Sequence, residues 1–385
     1  MKTCIRIYIA EIAVSGVILL EFGFGVGALN GRERFRRIME FEKPDRFPLY
    51  EWLGYWRDTL GRWHGEGLPP GMSVHDYFSF DRIDVFSLDF GPIPRFVPRI
   101  LGEDDRYVVA VAEDGIITKC LKSSTSMPSF LAFPVKSPED YLKIKARFNA
   151  RDTRRYPMTW SDDLIEYYRT TECPVKFRFP GFFWQARDLM GLPYLLKAFY
   201  KEPWMLHDFF DFWGSFLIET SEEALSAVKP DYVDFAEDMS YKNGPHVSPR
   251  LFEEFIQPSY RKVTAFLRSK GVKVIAVDTD GDATLLLALL IEAGVNCLIP
   301  LEVAAGMDAE RLRKTYGKRL LYIGGVDKRA LAAGGETLEA EVRRRFELAR
   351  LGGYIPCVDH NVSPDISFQN YCHYVDLRKD LMYQV

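Results

Sequence analysis

Paired cysteines are missing from this chain. Its six cysteines, Cys4, Cys120, Cys173, Cys297, Cys357 and Cys372, stand far apart, with no C-x-x-C pair. That excludes a zinc ribbon or a dense disulfide framework and reads as reduced thiols in a cytoplasmic protein. Positive charge is not in excess: 50 Lys and Arg face 54 Asp and Glu, for a net charge of -4. A basic footprint for nucleic acid is therefore absent. No apolar run reaches the ~20 residues that span a bilayer. Ile12 to Leu20 is apolar behind Lys2 and Arg6, which resembles the core of an export signal, but Glu11 and Glu21 bracket it and no small-residue cleavage motif is evident. Residues 1–29 read as a loosely held extension, and 30–385, free of repeats and low-complexity linkers, as one domain.

Apolar residues make up 47% of the chain and include 28 Phe and 20 Tyr, enough for a large core or a deep apolar cavity. Val272 to Asp282, V-K-V-I-A-V-D-T-D-G-D, is a short strand signal that stops at acids and a glycine. The same punctuation closes other strand-like runs: Arg46–Trp52, Asp84–Leu88, Val175–Pro180, Asp231–Ala236, Val295–Pro300, Arg319–Ile323 and Tyr354–Val358. Helical segments lie between them, such as Pro203 to Ala227. Eight strands alternating with helices predict a (β/α)8 TIM barrel, with the strand-end clusters gathered on one rim. Between Arg106 and Lys122, two Val/Ile-rich runs flank Glu113-Asp114-Gly115, which predicts a β-hairpin insertion after the second strand.

Asp89, Glu237, Asp238, Asp278, Asp280, Glu302, Asp327 and His360 would then converge from six strand ends. So many acids around one cavity require compensation by a metal, an arginine or a cationic ligand. Asp278 and Asp280, two apart, share a face as their strand ends. His360 is the one histidine placed directly at a strand end, where a neighbouring carboxylate would orient it for proton transfer or metal ligation. Asp278, Asp280, His360 and Glu237 are the catalytic candidates. Asp280, Glu302 and His360 are the candidate ligands of a divalent metal such as zinc. Trp52, Asp89, Phe183, Trp184, Asp238, Asn243 and His246 are the candidate substrate contacts. The competing reading is structural: acids at strand ends also cap helices or pair with lysines, and the aromatics also close the top of a core. Cys357, near this rim, reads as packing.

Four stretches carry a family resemblance: N-G-R-E-R-F-R-R-I-M-E-F-E-K-P-D-R-F-P from Asn30 to Pro48, L-M-G-L-P-Y-L-L-K-A-F-Y-K-E-P from Leu189 to Pro203, N-G-P-H-V-S-P-R-L-F-E-E-F-I-Q-P-S-Y from Asn243 to Tyr260, and D-H-N-V-S-P-D from Asp359 to Asp365. In this order they resemble the uroporphyrinogen decarboxylase superfamily. The resemblance implies a (β/α)8 barrel, often a homodimer, with its cleft at the C-terminal rim. It also implies decarboxylation of porphyrinogen acetates, or methyl transfer to or from a corrinoid carried on a partner protein. His360 matches the family's histidine near the last strand. The arginine-rich stretch with which the decarboxylase grips carboxylates is replaced by Glu51-Trp52-Leu53-Gly54-Tyr55, and an acidic rim lacking it would repel an octa-anionic substrate. The zinc-binding H-x-C of the thiol-methylating branch is replaced by Asp278-x-Asp280, which disfavours a thiol acceptor. The expected activity is methyl transfer from a small methyl ether or amine to a corrinoid protein; the alternatives are porphyrinogen decarboxylation and a non-catalytic binding barrel.

Overall fold

A computed structural model of the chain describes residues 28–123 and 127–385. The N-terminal extension falls outside the described residues except for its last two, and Leu29 is already held there, its amide donating to Asp45 and its carbonyl accepting from Arg34. Asn30 then caps the helix Gly31–Met39 through a reciprocal capping box with Glu33.

Strands are numbered along the chain. They are β1 (Asp84–Phe86), β2 (Arg99–Glu103), β3 (Tyr107–Val111), β4 (Ile117–Leu121), β5 (Ser129–Ala132), β6 (Val175–Pro180), β7 (Tyr232–Ala236), β8 (Ser240–Tyr241), β9 (Gly244–Pro245), β10 (Val274–Asp278), β11 (Cys297–Ile299), β12 (Leu321–Val326) and β13 (Tyr354–Val358). Seven of them form one parallel sheet in the order β1-β6-β7-β10-β11-β12-β13. Parallel neighbours need crossovers, and helices supply them on the outside. Both faces of β7, β10, β12 and β13 are buried, as their near-continuous apolar sequences require. The longest crossover, the helix Pro203–Ala227, buries Phe209, Phe210, Trp213, Phe216 and Leu217 against the rest. The architecture is α/β and TIM-barrel-like. No described helix is long and apolar enough to cross a membrane.

Arg46–Trp52, read as the first strand, is not one. It is irregular chain filling the gap between β1 and β13, with Phe47, Leu49, Tyr50 and Glu51 buried. Pro48 lacks an N–H for a ladder, and side chains take over the pairing. The Val358 amide of β13 donates to Glu51 Oε2 at 2.8 Å, while Arg378 donates to Glu51 Oε1 at 2.5 Å and to the Tyr50 carbonyl at 3.0 Å. On the other side, Asp81 N donates to the Leu49 carbonyl.

The segment after β1 is larger than a hairpin. β3 and β4 pair, Val111 opposite Ile117, but β2 and β5 flank them, so the segment is a four-stranded antiparallel sheet and not the hairpin read from the sequence. The Ala112–Ile116 turn is tied to the chain entering β2, since Phe96 N donates to the Glu113 carbonyl.

The Glu51–Arg378 pair is almost wholly buried, with side-chain exposures of 2% and 1%. Removing one partner of such a pair strands the other charge in the core. Glu51→Ala or Arg378→Ala should therefore lower unfolding free energy in urea by ~3–5 kcal/mol, with Glu51→Gln costing less. A loss no larger than that of a surface substitution would show that this carboxylate is not what closes the gap beside β13.

Candidate active site

The site is built where β6, β7 and β10 end. Alternation along β6 turns Lys176 and Arg178 to the same face, and the register sets Arg178 opposite Asp234 of β7. Lys176 Nζ lies 3.3 Å from Asp234 Oδ2 and 3.7 Å from the centre of the Trp52 ring, a desolvated cation–π contact. Arg178 Nη1 is 3.2 Å from the same Asp234 oxygen, and its Nη2 donates to Asp278 Oδ2 at 2.6 Å. Burial pulls the Lys176 ammonium below its usual range, with Asp234 opposing. Burial opposes the charge on Arg178 too, but Asp234 and Asp278 more than offset it and hold the guanidinium charged.

Beyond β10 the chain turns at Gly281, whose φ is +75° and where a Cβ would come within 2.5 Å of the Tyr241 backbone. Glycine is required on both counts. This close approach presses the β8–β9 hairpin onto the loop carrying Asp280. Across the mouth, His360 Nε2 lies 3.2 Å from Asp280 Oδ2. Burial pulls the imidazole pKa down, but the hydrogen bond and charge of Asp280 outweigh it, and the net direction is upward. The adjacent Asp359 is not the imidazole's partner. It is fully buried and accepts from Val303 N at 3.0 Å and Lys328 N at 3.1 Å, bracing two neighbouring loops.

Glu237, expected to be catalytic, is placed away from the mouth. It is 0% exposed. It accepts from the amides of Phe182, Phe183 and Trp184 at 2.6, 2.8 and 3.2 Å, where the helix Phe182–Met190 begins, and from the Tyr260 hydroxyl. Gly181 permits this, since a Cβ there would meet the Glu237 carboxyl carbon at 2.4 Å. Burial pushes the Glu237 pKa up to about 7 against these donors. Its neighbour Asp238 does reach the mouth, from a left-handed backbone with φ +39°. Burial and then the charges of Asp280 and Asp278 push its pKa up to about 7, with Arg187, 3.9 Å away, opposing.

The remaining candidates separate. Asp89 is engaged twice over by Arg95 Nη2, at 2.7 Å to each oxygen, and by the Gly91 amide. Asp327 caps the helix Lys328–Ala333 and pairs with Arg329. Phe183 and His246 stack at 5.8 Å, His246 and Tyr241 at 5.1 Å, giving a three-ring pile under the β8–β9 hairpin. Trp184 lies beneath the Arg187 guanidinium at 4.5 Å. Asn243 sits exposed at the hairpin tip. Glu302 Oε2 accepts from Gly281 N at 2.9 Å. Among the described residues no three His, Cys, Asp or Glu side chains stand close enough to hold a metal, so Asp280, Glu302 and His360 do not form the expected ligand set. Glu302 is turned to a backbone amide, and His360 Nε2 to Asp280. Cys357 is fully buried and free, in keeping with packing.

Lys176 and Arg178 were not anticipated from sequence. The available signal was V-K-F-R-F-P, two cations two apart in a strand otherwise fit for full burial.

A family model described as uroporphyrinogen decarboxylase (URO-D) matches residues 183–381. The chain belongs to the uroporphyrinogen decarboxylase family. No curated protein sequence matches it. Among solved structures it resembles a methyltransferase from Methanosarcina mazei, with a TM-score of 0.58 and 15% identity over 91% of this chain and 99% of that one. At that identity the likeness shows the fold alone. A B12-independent methionine synthase from Shewanella sp. W3-18-1 also aligns, at 13% identity over 74% of this chain and 72% of that one, but its TM-score of 0.35 carries no argument.

Two titrations follow from this geometry. The stability contributed by the His360–Asp280 pair is fully present below the unfolded imidazole pKa of about 6.5 and is lost as pH rises through the raised folded value. Asp280→Asn should lower the His360 pKa in an NMR titration and flatten that dependence. Asp238 carries the same sign: between about 4 and about 7 the folded chain keeps a proton that the unfolded chain has released, so stability falls as pH rises. Asp238→Asn suits the left-handed backbone and should make the protein more stable than wild type in urea at pH 8, with little difference at pH 4.

Proposed function

We propose that this chain is a methyltransferase of the uroporphyrinogen decarboxylase family, moving a methyl group between a small methylated substrate, an ether or an amine, and a corrinoid carried on a partner protein. The reading places the reaction at the C-terminal mouth of a (β/α)8 barrel in a cytoplasmic enzyme, as a homodimer. The observation that carries it is the His360–Asp280 pair beside Arg178 and Asp238. Departure of an alkoxide or amine needs a proton source and fixed charge at the leaving atom, and these residues supply both. Asp280 and His360 share a proton between Oδ2 and Nε2 at 3.2 Å, and Asp280, with 37% of its side chain exposed, is the edge from which it is delivered. Asp238 holds a second proton near neutrality. The Phe183–His246–Tyr241 pile and Trp184 offer flat apolar surface for the rest of a substrate. Glu237 serves by positioning: it fixes the start of the helix that carries Phe183 and Trp184. A bound corrinoid would supply the nucleophile for the methyl group, and the residues named here orient the donor and handle its proton.

Porphyrinogen decarboxylation is the second reading, favoured by the match of His360 to the family's histidine. Against it, the mouth cations already have partners: Arg178 is bound to Asp234 and Asp278, and Arg187 lies by Asp238. A polyanion would therefore find no surplus of positive charge there to balance its many carboxylates.

Mixing the chain with a reduced corrinoid protein and a panel of methyl ethers and methylamines should give the spectral change from cobalt(I) to methylcobalt. His360→Gln should slow it ~10²–10⁴-fold while leaving the fold intact by circular dichroism. A silent panel, with coproporphyrinogen formed from uroporphyrinogen on chromatography, would replace the first reading by the second.

A further inference from the structure

Arg178 is the mouth cation that the reading above does not fully use. It stands on a strand whose neighbours Phe177 and Phe179 are completely buried, yet 37% of its own side chain is exposed. Asp234 engages Nη1 and Asp278 engages Nη2, which locks the guanidinium plane. Lys176, one step deeper in the strand, matches Asp234 from the other side at 3.3 Å. A guanidinium has five N–H groups in a fixed fork, so two contacts leave donor capacity on an exposed, immobilised cation. Asp278 is two residues from Asp280, which holds His360, so the locked donor is joined through Asp278 to the segment that carries the proton-holding pair.

We propose that Arg178 receives the departing oxygen of the donor, so that the substrate class is methyl ethers, of phenols above all, and not methylated amines. This rests on the methyl-transfer reading. In the step, the C–O bond breaks and its electron pair stays on oxygen. The methyl carbon passes to the reduced corrinoid of the partner protein, whose electron pair makes the new bond. The free N–H groups of Arg178 hold the oxyanion, which then takes the proton shared by Asp280 and His360. A preorganised cation aimed at developing negative charge stabilises the transition state more than the ground state. An amine donor gains nothing from it: a methylammonium brings positive charge towards Arg178, Arg187 and an imidazolium, and leaves as a neutral amine. The nearby acids do not reverse this, because Asp234 and Asp278 are bound to Arg178, Asp280 to His360, and Asp238 lies beside Arg187.

The test uses 4-nitrophenol, a stand-in for the product whose phenolate is coloured, bound to the full-length protein and titrated with pH. On the wild type the bound phenol should ionise about 1–3 pH units lower than free in solution, the range an adjacent arginine imposes on an acid. Arg178→Met should return it to the free value, and Arg178→Lys, which keeps the charge but not the fork, should fall between. The wild-type titration requires no variant to fold. Failure of the phenol to bind, ionisation at or above the free value, or a folded Arg178→Met with the wild-type shift would each overturn the assignment. Methyl transfer from amines but not ethers would overturn it too, while leaving the methyltransferase reading intact. A lowered phenol ionisation abolished by Arg178→Met, with every methyl donor silent, would sink methyl transfer and support the oxygen site.

Discussion

Arg178 lies between two carboxylates, with Lys176 behind one of them, and the mouth of the sheet is arranged around that line of charge. Moving any one of these groups out of water alone costs several kcal/mol even after relaxation. They are tolerable together because β6, β7 and β10 hold them in register: Lys176 and Arg178 on one strand, Asp234 on the next and Asp278 on the third. The pattern of cation against carboxylate fixes which edge of the guanidinium is left open. It also leaves Asp238 and Asp280 as the acids with an open side, and burial first, then the charges of Asp280 and Asp278, raises the Asp238 pKa.

Acids that look alike in sequence do two different jobs here. Glu51, Glu237, Glu302 and Asp359 accept backbone amides and join neighbouring strand ends: Glu51 to Val358, Glu237 to the start of the helix after β6, Glu302 to Gly281, and Asp359 to Val303 and Lys328. They are internal braces in a region where loops leave amides without ladder partners. Asp238 and Asp280 instead face other charges. The braces position the second set: Glu237 is next to Asp238 in the chain, and Glu302 holds the turn at Gly281 beside Asp280. Substitution of a brace would therefore disturb the mouth without that residue meeting a ligand.

Much of the fold could be read from the residues. β6 and β13 occur at Val175–Pro180 and Tyr354–Val358, and the long helix at Pro203–Ala227, the spans read from the sequence. These are long or strongly patterned segments bounded by proline, glycine or acids, where local preference and burial agree. Arg46–Trp52 misled because a β-like apolar run also describes chain buried by other means. Its pairing is made by the Glu51 side chain and by Arg378, which lies 327 residues away. The insertion was read as two strands because β2 and β5, mostly exposed on the outer edges of that sheet, lack the Val- and Ile-rich runs about a turn that marked β3 and β4.

His360, Asp278 and Asp280 stood out in the sequence as polar residues where an apolar strand ends, but Glu237 and Asp359 stand in the same position and serve as braces. Sequence alone thus settled most of the elements, their alternation, the family resemblance and the strand ends on which these polar residues stand, since these follow from local period and from side-chain type. Which acid meets which cation was decided only by the tertiary structure. Arg178 with Asp278, Lys176 with Trp52, and His360 with Asp280 and not its neighbour Asp359 are pairings across strands, and register and loop path, set by the packing of the whole sheet, determine them.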